Sequence, residues 1–210
     1  LNSIEQGETN GTIVCSGTAS GKTLAFYLPA ISSLLRHKRE SPSEKWVKIV
    51  ALYPRVELLK DQLGELIERI ESIRESSSNI CITVGAIYGD TPETAKYCDW
   101  PQSGGDRVCP YLKCRLCSGD MHWRESDLEL SVEKLNCNEC DWSIAADIFP
   151  LTRATIASVI PDIVFTTTEM VNQRLSDNGI CHLFGVGTKV LRPPELVLLD
   201  EVHTYEARHG

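Results

Sequence analysis

Residues 16–23, with the sequence SGTASGKT, constrain the fold of this chain more than any other segment. They follow a short β-branched apolar run, residues 12–15, and precede a helical pattern over residues 22–37. A glycine-containing loop between a buried strand and a helix presents backbone N–H groups that bind phosphate. The pattern therefore predicts a phosphate-binding loop. The alternative is a turn that only packs a strand against a helix.

The lysine and the threonine that end this loop have separate predicted roles. Lys22 reaches the β- and γ-phosphates of a nucleotide, and the Thr23 hydroxyl binds Mg²⁺. The usual pattern begins with glycine, whereas this loop begins with Ser16. The residues predicted to contact the nucleotide are Ser16, Gly17, Thr18, Ala19, Ser20, Gly21, Lys22 and Thr23.

Two adjacent carboxylates near the end of the chain complete the predicted nucleotide site. Asp200 and Glu201 directly follow the apolar run LVLL at residues 196–199, which predicts a buried strand. Two carboxylates at a strand end repel each other unless a cation lies nearby. We therefore expect Asp200 to hold Mg²⁺ through a water molecule and Glu201 to polarise the attacking water. The alternative is a solvated corner between a strand and a helix.

Apolar runs and helical patterns alternate along much of the chain. Further strands are predicted at residues 47–52, 80–88 and 162–166, and further helices at residues 56–74 and 169–175. This alternation predicts an α/β fold with a parallel sheet flanked by helices. Residues 92–157 lack such periodicity and hold six of the nine cysteines. We therefore expect an inserted module at residues 92–157, between α/β segments at residues 1–91 and 158–210.

Taken together, these motifs resemble the first RecA-like domain of a superfamily 2 DEAD/DEAH-box helicase. Residues 16–23 are similar to the family's motif I, residues 54–62 (PRVELLKDQ) to motif Ia, and residues 89–91 (GDT) to a short element after the next strand. Residues 166–169 (TTTE) are similar to motif Ib, and residues 200–203 (DEVH) to motif II in a DEVH form. Within the superfamily, the motifs resemble the mitomycin-repair, RecQ-related and phage-defence helicases.

The resemblance implies ATP hydrolysis with Mg²⁺ that drives movement along a nucleic-acid strand, with DNA favoured over RNA. It places Lys22, Asp200, Glu201 and His203 in the catalytic site. His203 would couple that site to a second RecA-like domain of the same parent chain, or it would be structural only. In the family, motifs Ia and Ib bind the sugar–phosphate backbone. The candidate nucleic-acid contacts are therefore Pro54, Arg55, Gly89, Asp90, Thr167 and Thr168.

Two other functions stay open at this stage. The chain could be a P-loop ATPase that acts on protein, although the motifs at residues 54–62 and 166–169 argue against it. It could also be a non-catalytic module that binds nucleic acid or protein and has a vestigial ATP site. The intact Lys22, Thr23, Asp200 and Glu201 argue against this second alternative.

Four cysteines of the inserted segment have the spacing of a zinc site. Cys114 and Cys117 form one C-x2-C pair and Cys137 and Cys140 another, with nineteen residues between the pairs. Each pair offers two thiolates from one tight turn, and four thiolates suit tetrahedral Zn²⁺. The sequence therefore predicts a zinc-ribbon module, with unligated thiols as the alternative.

The remaining cysteines have two interpretations. Cys98 and Cys109 are structural, or they join Cys114 and one later cysteine at a [4Fe–4S] cluster, since a related helicase group carries such a domain at this position. The other three cysteines lie near apolar runs and are predicted to be buried. They are Cys15, Cys81 and Cys181.

Aromatic and basic residues are mixed within the inserted segment. Trp100, Trp123 and Trp142 could stack on the bases of a strand, or they could fill the core of the module, which we favour. In the first interpretation, basic side chains would grip the same strand. These are Arg107, Lys113, Arg115 and Arg124.

The formal net charge of −8 argues against nonspecific binding of nucleic acid through bulk positive charge. Hydroxyls, backbone N–H groups and helix N-termini can still bind phosphates. The sequence shows no secretory signal and no apolar run near the ~18 residues that span a bilayer. We therefore expect an intracellular, cytoplasmic protein with reduced cysteines and no membrane partner. Because the chain lacks an initiator Met, we expect a piece of a longer protein that does not unwind nucleic acid alone.

Overall fold

The computed structural model describes residues 22–76, 80–187 and 192–201. The chain divides into two compact units, residues 1–44 and residues 45–210. The predicted strand at residues 12–15, the loop at residues 16–21 and His203 lie outside the described residues.

The described part of the first unit is a single helix, α1 (Lys22–Glu40). It matches the helix predicted from residue 22 and continues three residues beyond the predicted end. Its last turn contains His37, Lys38 and Arg39. Basic side chains at that position interact favourably with the negative end of the helix dipole.

The second unit contains a parallel sheet of four strands. These are β1 (Ile49–Tyr53), β2 (Val84–Ile87), β8 (Ile163–Thr167) and β9 (Leu196–Leu199). Their order across the sheet is β2-β8-β1-β9, and every neighbouring pair is parallel. All residues of β2 and β8 are buried, as expected for strands covered on both faces. The predicted fold class, α/β with a parallel sheet flanked by helices, is confirmed.

Helix α2 (Val56–Ser76) follows β1 and packs against β1 and β8. The prediction of a helix over residues 56–74 is confirmed. Its apolar residues recur at steps of three and four, which places them on one face of a helix. The residues of this face that are almost completely buried are Leu59, Leu63, Leu66, Ile67 and Ile70.

The strand predicted over residues 80–88 is shorter in the structure and begins at Val84. The preceding residue, Thr83, forms hydrogen bonds with residues that are not its partners in the β2–β8 pairing. Its N–H donates to Asp162 Oδ2 (3.0 Å), its hydroxyl donates to the carbonyl of Asp147 (2.8 Å), and its carbonyl accepts from the N–H groups of Asp162 and Ile163. The apolar residues before Val84 therefore contribute to the core but do not form a strand.

A second, antiparallel sheet lies between β2 and β8 in the sequence. Its strands are β3 (Gln102–Ser103), β4 (Asp106–Lys113), β5 (Asp120–Trp123), β6 (Lys134–Cys137) and β7 (Ser143–Ala145), in that order across the sheet. A 3₁₀ turn (Ala95–Tyr97) precedes it, and the short helix α3 (Glu125–Glu129) connects β5 to β6. Consecutive strands are neighbours, so this segment is a meander.

The chain returns to the parallel sheet through helix α4 (Arg153–Val159). Helix α5 (Thr168–Arg174) follows β8, and a 3₁₀ turn (Cys181–Phe184) follows α5. In the described part of the chain, no helix is both long enough and apolar enough to cross a bilayer.

Candidate functional site

The carboxyl ends of the four parallel strands lie along one edge of the sheet, and each is followed by residues predicted to be functional. Gly89 and Asp90 come after β2, Thr167 and Thr168 at the end of β8, Pro54 and Arg55 after β1, and Asp200 and Glu201 after β9. Neighbouring strands are about 4.8 Å apart, so this row extends over about 14 Å. The topology brings together motifs that are up to 146 positions apart in the sequence, from Pro54 to Asp200.

The two carboxylates at the end of β9 have a defined local geometry. The Asp200 N–H donates to the carbonyl of Leu52 on β1 (3.3 Å), which continues the parallel pairing beyond β9. Asp200 Oδ1 accepts from the Glu201 N–H at 2.8 Å. Glu201 has a φ of 51°, in the left-handed region that non-glycine residues rarely adopt. The chain therefore turns sharply here, and both carboxylates are partly exposed beyond the sheet.

The candidate nucleic-acid contacts on β1 and β8 also begin helices. Arg55 is exposed, and its carbonyl accepts from the Leu59 N–H in the first turn of α2. Thr167 is buried and caps α5, since its hydroxyl accepts from the Met170 N–H at 3.3 Å. Thr168 is partly exposed at the first position of that helix. Capping accounts for Thr167, and it leaves Arg55 and Thr168 accessible from solvent.

The predicted nucleotide loop is described only at its end. Lys22 and Thr23 are the first two residues of α1, as expected for a helix that begins at a phosphate-binding loop. Ser16, Gly17, Thr18, Ala19, Ser20 and Gly21 lie outside the described residues.

The four cysteines of the two C-x2-C pairs converge at one end of the antiparallel sheet. Cys114 and Cys117 lie in the turn between β4 and β5, and Cys137 and Cys140 lie at the turn between β6 and β7. All four Sγ atoms lie within 4.8 Å of one another. Three of the separations are 3.4 Å for Cys114–Cys140, 3.4 Å for Cys117–Cys137 and 3.8 Å for Cys117–Cys140. The predicted set of four thiols is therefore assembled by the fold.

These separations suit a single tetrahedral ion. Zinc–sulfur bonds of about 2.3 Å place the four sulfurs of a tetrahedral site about 3.8 Å apart. A [4Fe–4S] cluster interposes four irons and holds its cysteine sulfurs further apart. Backbone bonds shape both turns: the Cys114 N–H donates to the carbonyl of Gly119, and the Cys137 N–H to the carbonyl of Trp142, both at 2.9 Å.

The environment of Cys137 favours a thiolate. Desolvation opposes its ionisation, but hydrogen bonds from the backbone N–H of Glu139 (3.4 Å) and from the Cys117 thiol outweigh it and lower the pKa of Cys137 to about 7. Thiolate is the form that binds metal. Hydrogen bonds within the same group raise the pKa of the Cys117 thiol to about 12 and also raise that of Cys140, so Cys137 is the thiol of the three that ionises most readily.

Cys98 and Cys109 lie outside this group of four. Both are buried, and burial raises the pKa of the Cys109 thiol to about 12 and also raises that of Cys98. They are neutral core residues, in agreement with the structural interpretation. Cys181 is buried as predicted, whereas the prediction for Cys81 is wrong. Cys81 is exposed because it lies in the irregular segment before β2, where its thiol donates to the carbonyl of Asp147.

Parts of the chain are similar in sequence to known proteins. Residues 1–100, just under half of the chain, match the family model of the DEAD/DEAH box helicase. Two curated relatives, the ATP-dependent RNA helicase rok1 of Aspergillus niger and that of Aspergillus terreus, are each 38% identical over 53 residues. These matches support a helicase superfamily 2 domain. The aligned stretch is 25% of this chain and 7% of the length of each relative, and no solved structure matches the chain.

The three tryptophans of the inserted segment, residues 92–157, form its core. Trp100, Trp123 and Trp142 are 3%, 0% and 8% exposed, so their rings are not available to stack on bases. Each indole N–H has an acceptor within the protein: the carbonyls of Asp90 and Val132 and the Glu71 carboxylate, respectively. The interpretation as core residues, which the sequence favoured, is supported.

Two of the basic residues proposed to grip a strand are bonded within the domain. Arg115 Nη2 lies 2.5 Å from Glu75 Oε1, and its Nε lies 3.6 Å from Glu71 Oε2, both on α2. Lys113 forms an ion pair with Asp120 across the β4–β5 turn. These ion pairs do not support the interpretation in which Arg115 grips a strand. Its position between the two cysteines of one C-x2-C pair puts it at the surface of α2 instead.

Sequence reasoning missed side chains that bond to the predicted motif residues or to the start of α4. Lys60 Nζ lies 3.9 Å from Asp90 Oδ2, and Trp100 donates to the carbonyl of the same Asp90. Glu133 accepts four hydrogen bonds at the start of α4. Only Trp100 carried a signal, as one of three tryptophans in a cysteine-rich segment, whereas a single Lys or Glu has no local pattern that identifies its partner.

Proposed function

We propose that this chain is the ATP-binding first RecA-like domain of an ATP-dependent nucleic-acid helicase or translocase. The observation that supports it most is the row of motif residues along one edge of the parallel sheet. Ligands of open α/β sheets bind at the carboxyl ends of the strands. The match of residues 1–100 to the DEAD/DEAH box helicase model supports the same activity independently of the geometry.

In this proposal the domain hydrolyses ATP, with Asp200 and Glu201 after β9 as its two carboxylates. Lys22 holds the β- and γ-phosphates, Thr23 and Asp200 hold Mg²⁺, and Glu201 accepts the proton of the attacking water. Asp200 fits its role, because the Glu201 N–H engages only its Oδ1, and among the described residues Oδ2 has no partner. His203 then couples this site to a second RecA-like domain of the parent chain.

The remainder of the edge binds a nucleic-acid strand through Pro54, Arg55, Gly89, Asp90, Thr167 and Thr168. The 21-residue helix α2 begins at Val56, so its positive end faces the phosphates near Arg55. Gly89 supports the assignment, because no atom lies within 4 Å of the position a Cβ would take there. Its φ is not positive either. Neither packing nor backbone conformation requires glycine, so a ligand that approaches the backbone closely gives a reason for it.

Zinc is the proposed ion of the cysteine group, and it would hold the β4–β5 and β6–β7 turns together through Cys114, Cys117, Cys137 and Cys140. The sulfur separations favour one ion over a [4Fe–4S] cluster, and Cys98 and Cys109 are outside the group. Elemental analysis of protein purified without chelator tests this proposal. One zinc per chain is expected, and several irons per chain would contradict it.

ATP turnover of the full-length protein, measured with and without single-stranded DNA or RNA, tests the proposed activity. Both nucleic acids belong in the test, because the sequence favoured DNA while the curated relatives are named as RNA helicases. Stimulation by either one is expected. Glu201→Gln should abolish turnover and retain nucleotide binding, whereas Glu68→Gln, on the exposed surface of α2, should change neither.

Each rival function predicts a different result. A P-loop ATPase that acts on protein would hydrolyse ATP without stimulation by either nucleic acid. A module with a vestigial ATP site would not hydrolyse ATP, so the wild type and Glu201→Gln would be equally inactive.

A further inference from the structure

Gly89 and Asp90 are exposed at the turn after β2, and hydrogen bonds of Thr91 hold this turn in place. Thr91 is 1% exposed, and its hydroxyl donates to the carbonyl of Ala86 at 2.8 Å and accepts from the Tyr88 N–H at 3.2 Å. The Thr91 N–H also donates to the carbonyl of Tyr88 (3.1 Å). Both tip residues are therefore exposed while the turn beneath them is held in one conformation.

The inserted segment supplies a further bond to this turn. Trp100 Nε1 donates to the carbonyl of Asp90 at 2.7 Å, a short bond for an N–H donor. The Trp100 ring packs edge-on against Tyr111, with centroids 5.4 Å apart, and Tyr111 packs in the same way against Tyr88 at 5.0 Å. Trp100 also lies 5.8 Å from Trp123 in the centre of the antiparallel sheet. The turn is thus joined to the aromatic core of the insert.

Helix α2 approaches the same turn and the same insert. Lys60 Nζ lies 3.9 Å from Asp90 Oδ2, with both side chains partly exposed. Further along the helix, its side chains meet the cysteine turns. Glu71 Oε2 accepts from Trp142 Nε1 at 3.0 Å, and Arg115 pairs with Glu71 and Glu75. The exposed Lys60 pair is weak in water, so the indole bond of Trp100 is the stronger constraint on Asp90.

The surface charge of the insert is unsuited to holding phosphates itself. Residues 92–157 contain 7 Lys or Arg and 11 Asp or Glu. Side chains of the insert contact the Gly89–Asp90 turn and α2, and both of these elements lie next to candidate nucleic-acid contacts.

We infer that the inserted sheet is a scaffold that sets the position of the nucleic-acid edge, with Trp100 as a positioning residue for Gly89 and Asp90. This inference rests on the proposed function, because it assigns the insert a role in binding the same strand. The insert then acts on affinity for nucleic acid without touching it.

Trp100→Phe in the full-length protein tests the inference, because it removes the N–H donor and retains an aromatic ring. Trp123→Phe is the matched control, since its indole N–H also donates to a backbone carbonyl, that of Val132, at 2.8 Å and at 0% exposure. The measurements are oligonucleotide affinity by fluorescence anisotropy, and the dependence of ATP turnover on oligonucleotide concentration.

Trp100→Phe should weaken oligonucleotide binding roughly fivefold, the effect of about one hydrogen bond. The half-saturating oligonucleotide concentration should rise while the maximal stimulated rate and the turnover without oligonucleotide stay unchanged. Trp123→Phe should lower the melting temperature and leave oligonucleotide affinity within about twofold of wild type, because the Val132 carbonyl that accepts its bond is not part of the turn.

Equal oligonucleotide affinities for the two variants, with a wild-type protein that binds, would overturn the inference and leave the proposed function intact. A wild-type protein that binds neither single-stranded DNA nor RNA would overturn both. Glu71→Ala provides a second test should Trp100→Phe fold poorly, since it removes the partner of Trp142 and Arg115 at the contact between α2 and the insert. It should weaken oligonucleotide binding relative to Glu68→Ala on the exposed side of the same helix, and equal affinities would count against the scaffold.

Discussion

Lys48 Nζ lies 3.0 Å from Asp162 Oδ1, and the two side chains are 4% and 5% exposed. The pair joins the amino ends of β1 and β8, at the opposite edge of the sheet from the motif residues. Asp162 also accepts from the Thr83 N–H before β2. Three strands of the parallel sheet therefore depend on one buried ion pair.

Replacing only the lysine should be strongly destabilising. Lys48→Met leaves the Asp162 carboxylate buried without its cation, and we expect a loss of about 3 kcal/mol in the free energy of unfolding. Lys48→Met combined with Asp162→Asn should recover part of that loss, because an amide oxygen can still accept from Thr83. Urea unfolding of the wild type, of Lys48→Met, of Asp162→Asn and of the double variant measures this, and an additive double variant would contradict the coupling.

Two glycines should respond oppositely to alanine. Gly64 lies inside α2, and no atom lies within 4 Å of the position a Cβ would take, so Gly64→Ala should stabilise the protein by about 1 kcal/mol through helix propensity. At Gly85 in β2, a Cβ would lie 3.0 Å from Pro161 Cγ and 3.1 Å from Ile156 Cγ2. Gly85→Ala should destabilise by about 1 kcal/mol through overpacking. Thermal melts of both variants decide the signs.

Gly89→Ala should leave the melting temperature unchanged, since a methyl group has open space there. It should weaken oligonucleotide binding roughly tenfold if a strand approaches the backbone at this turn. Gly64→Ala is the control, because it places the same methyl group inside α2. Unchanged oligonucleotide affinity for Gly89→Ala would remove Gly89 from the contact surface.

Loss of the ion should disorder the inserted sheet before the parallel sheet. Cys137→Ser removes one of the four sulfurs and should reduce zinc content from about one per chain to near zero. Tryptophan fluorescence should shift to longer wavelength, since three of the four tryptophans are buried in or beside that sheet. Cys81→Ser, outside the group of four, should retain the metal and the spectrum.

The carboxylate of Glu133 should stabilise the start of α4, the helix that precedes strand β8 of the parallel sheet. It accepts from the N–H groups of Leu151 (2.6 Å) and Thr152 (3.3 Å) and from the hydroxyls of Thr152 and Thr155 (both 2.6 Å). An amide offers one acceptor oxygen in place of two, so Glu133→Gln should cost about 2 kcal/mol of unfolding free energy. Glu129→Gln, exposed in α3, should cost almost none, and equal losses would contradict the assignment.

The elements with strong periodicity could be predicted from sequence. Helix α2 and strand β9 are found where the apolar pattern places them, and the spacing of the four cysteines anticipated their convergence. The irregular segment before β2 could not be predicted, because Thr83 bonds to Asp162, 79 positions later. The antiparallel meander was also missed, since its strands are short and its core is built from aromatic contacts such as Trp100 with Tyr111.

The ion pairs of α2 show a second limit of sequence reasoning. Arg115 lies in a segment where basic and aromatic residues are mixed, which suggested a nucleic-acid contact, but its partners in the structure are Glu71 and Glu75, 44 and 40 positions earlier. Composition identifies the chemistry of a side chain, but only the fold determines which charge it meets.

The connection between β2 and β8 has a consequence for folding kinetics. Val84 pairs with Ile163, so these neighbouring strands close a loop of 79 residues that contains the whole antiparallel sheet. The entropic cost of closing a loop rises with its length, and contacts between residues that are far apart in the sequence slow folding. A meander that folds early draws Val84 and Ile163 together, so refolding of the parallel sheet should be faster when the proposed zinc ion is already bound by the cysteine turns.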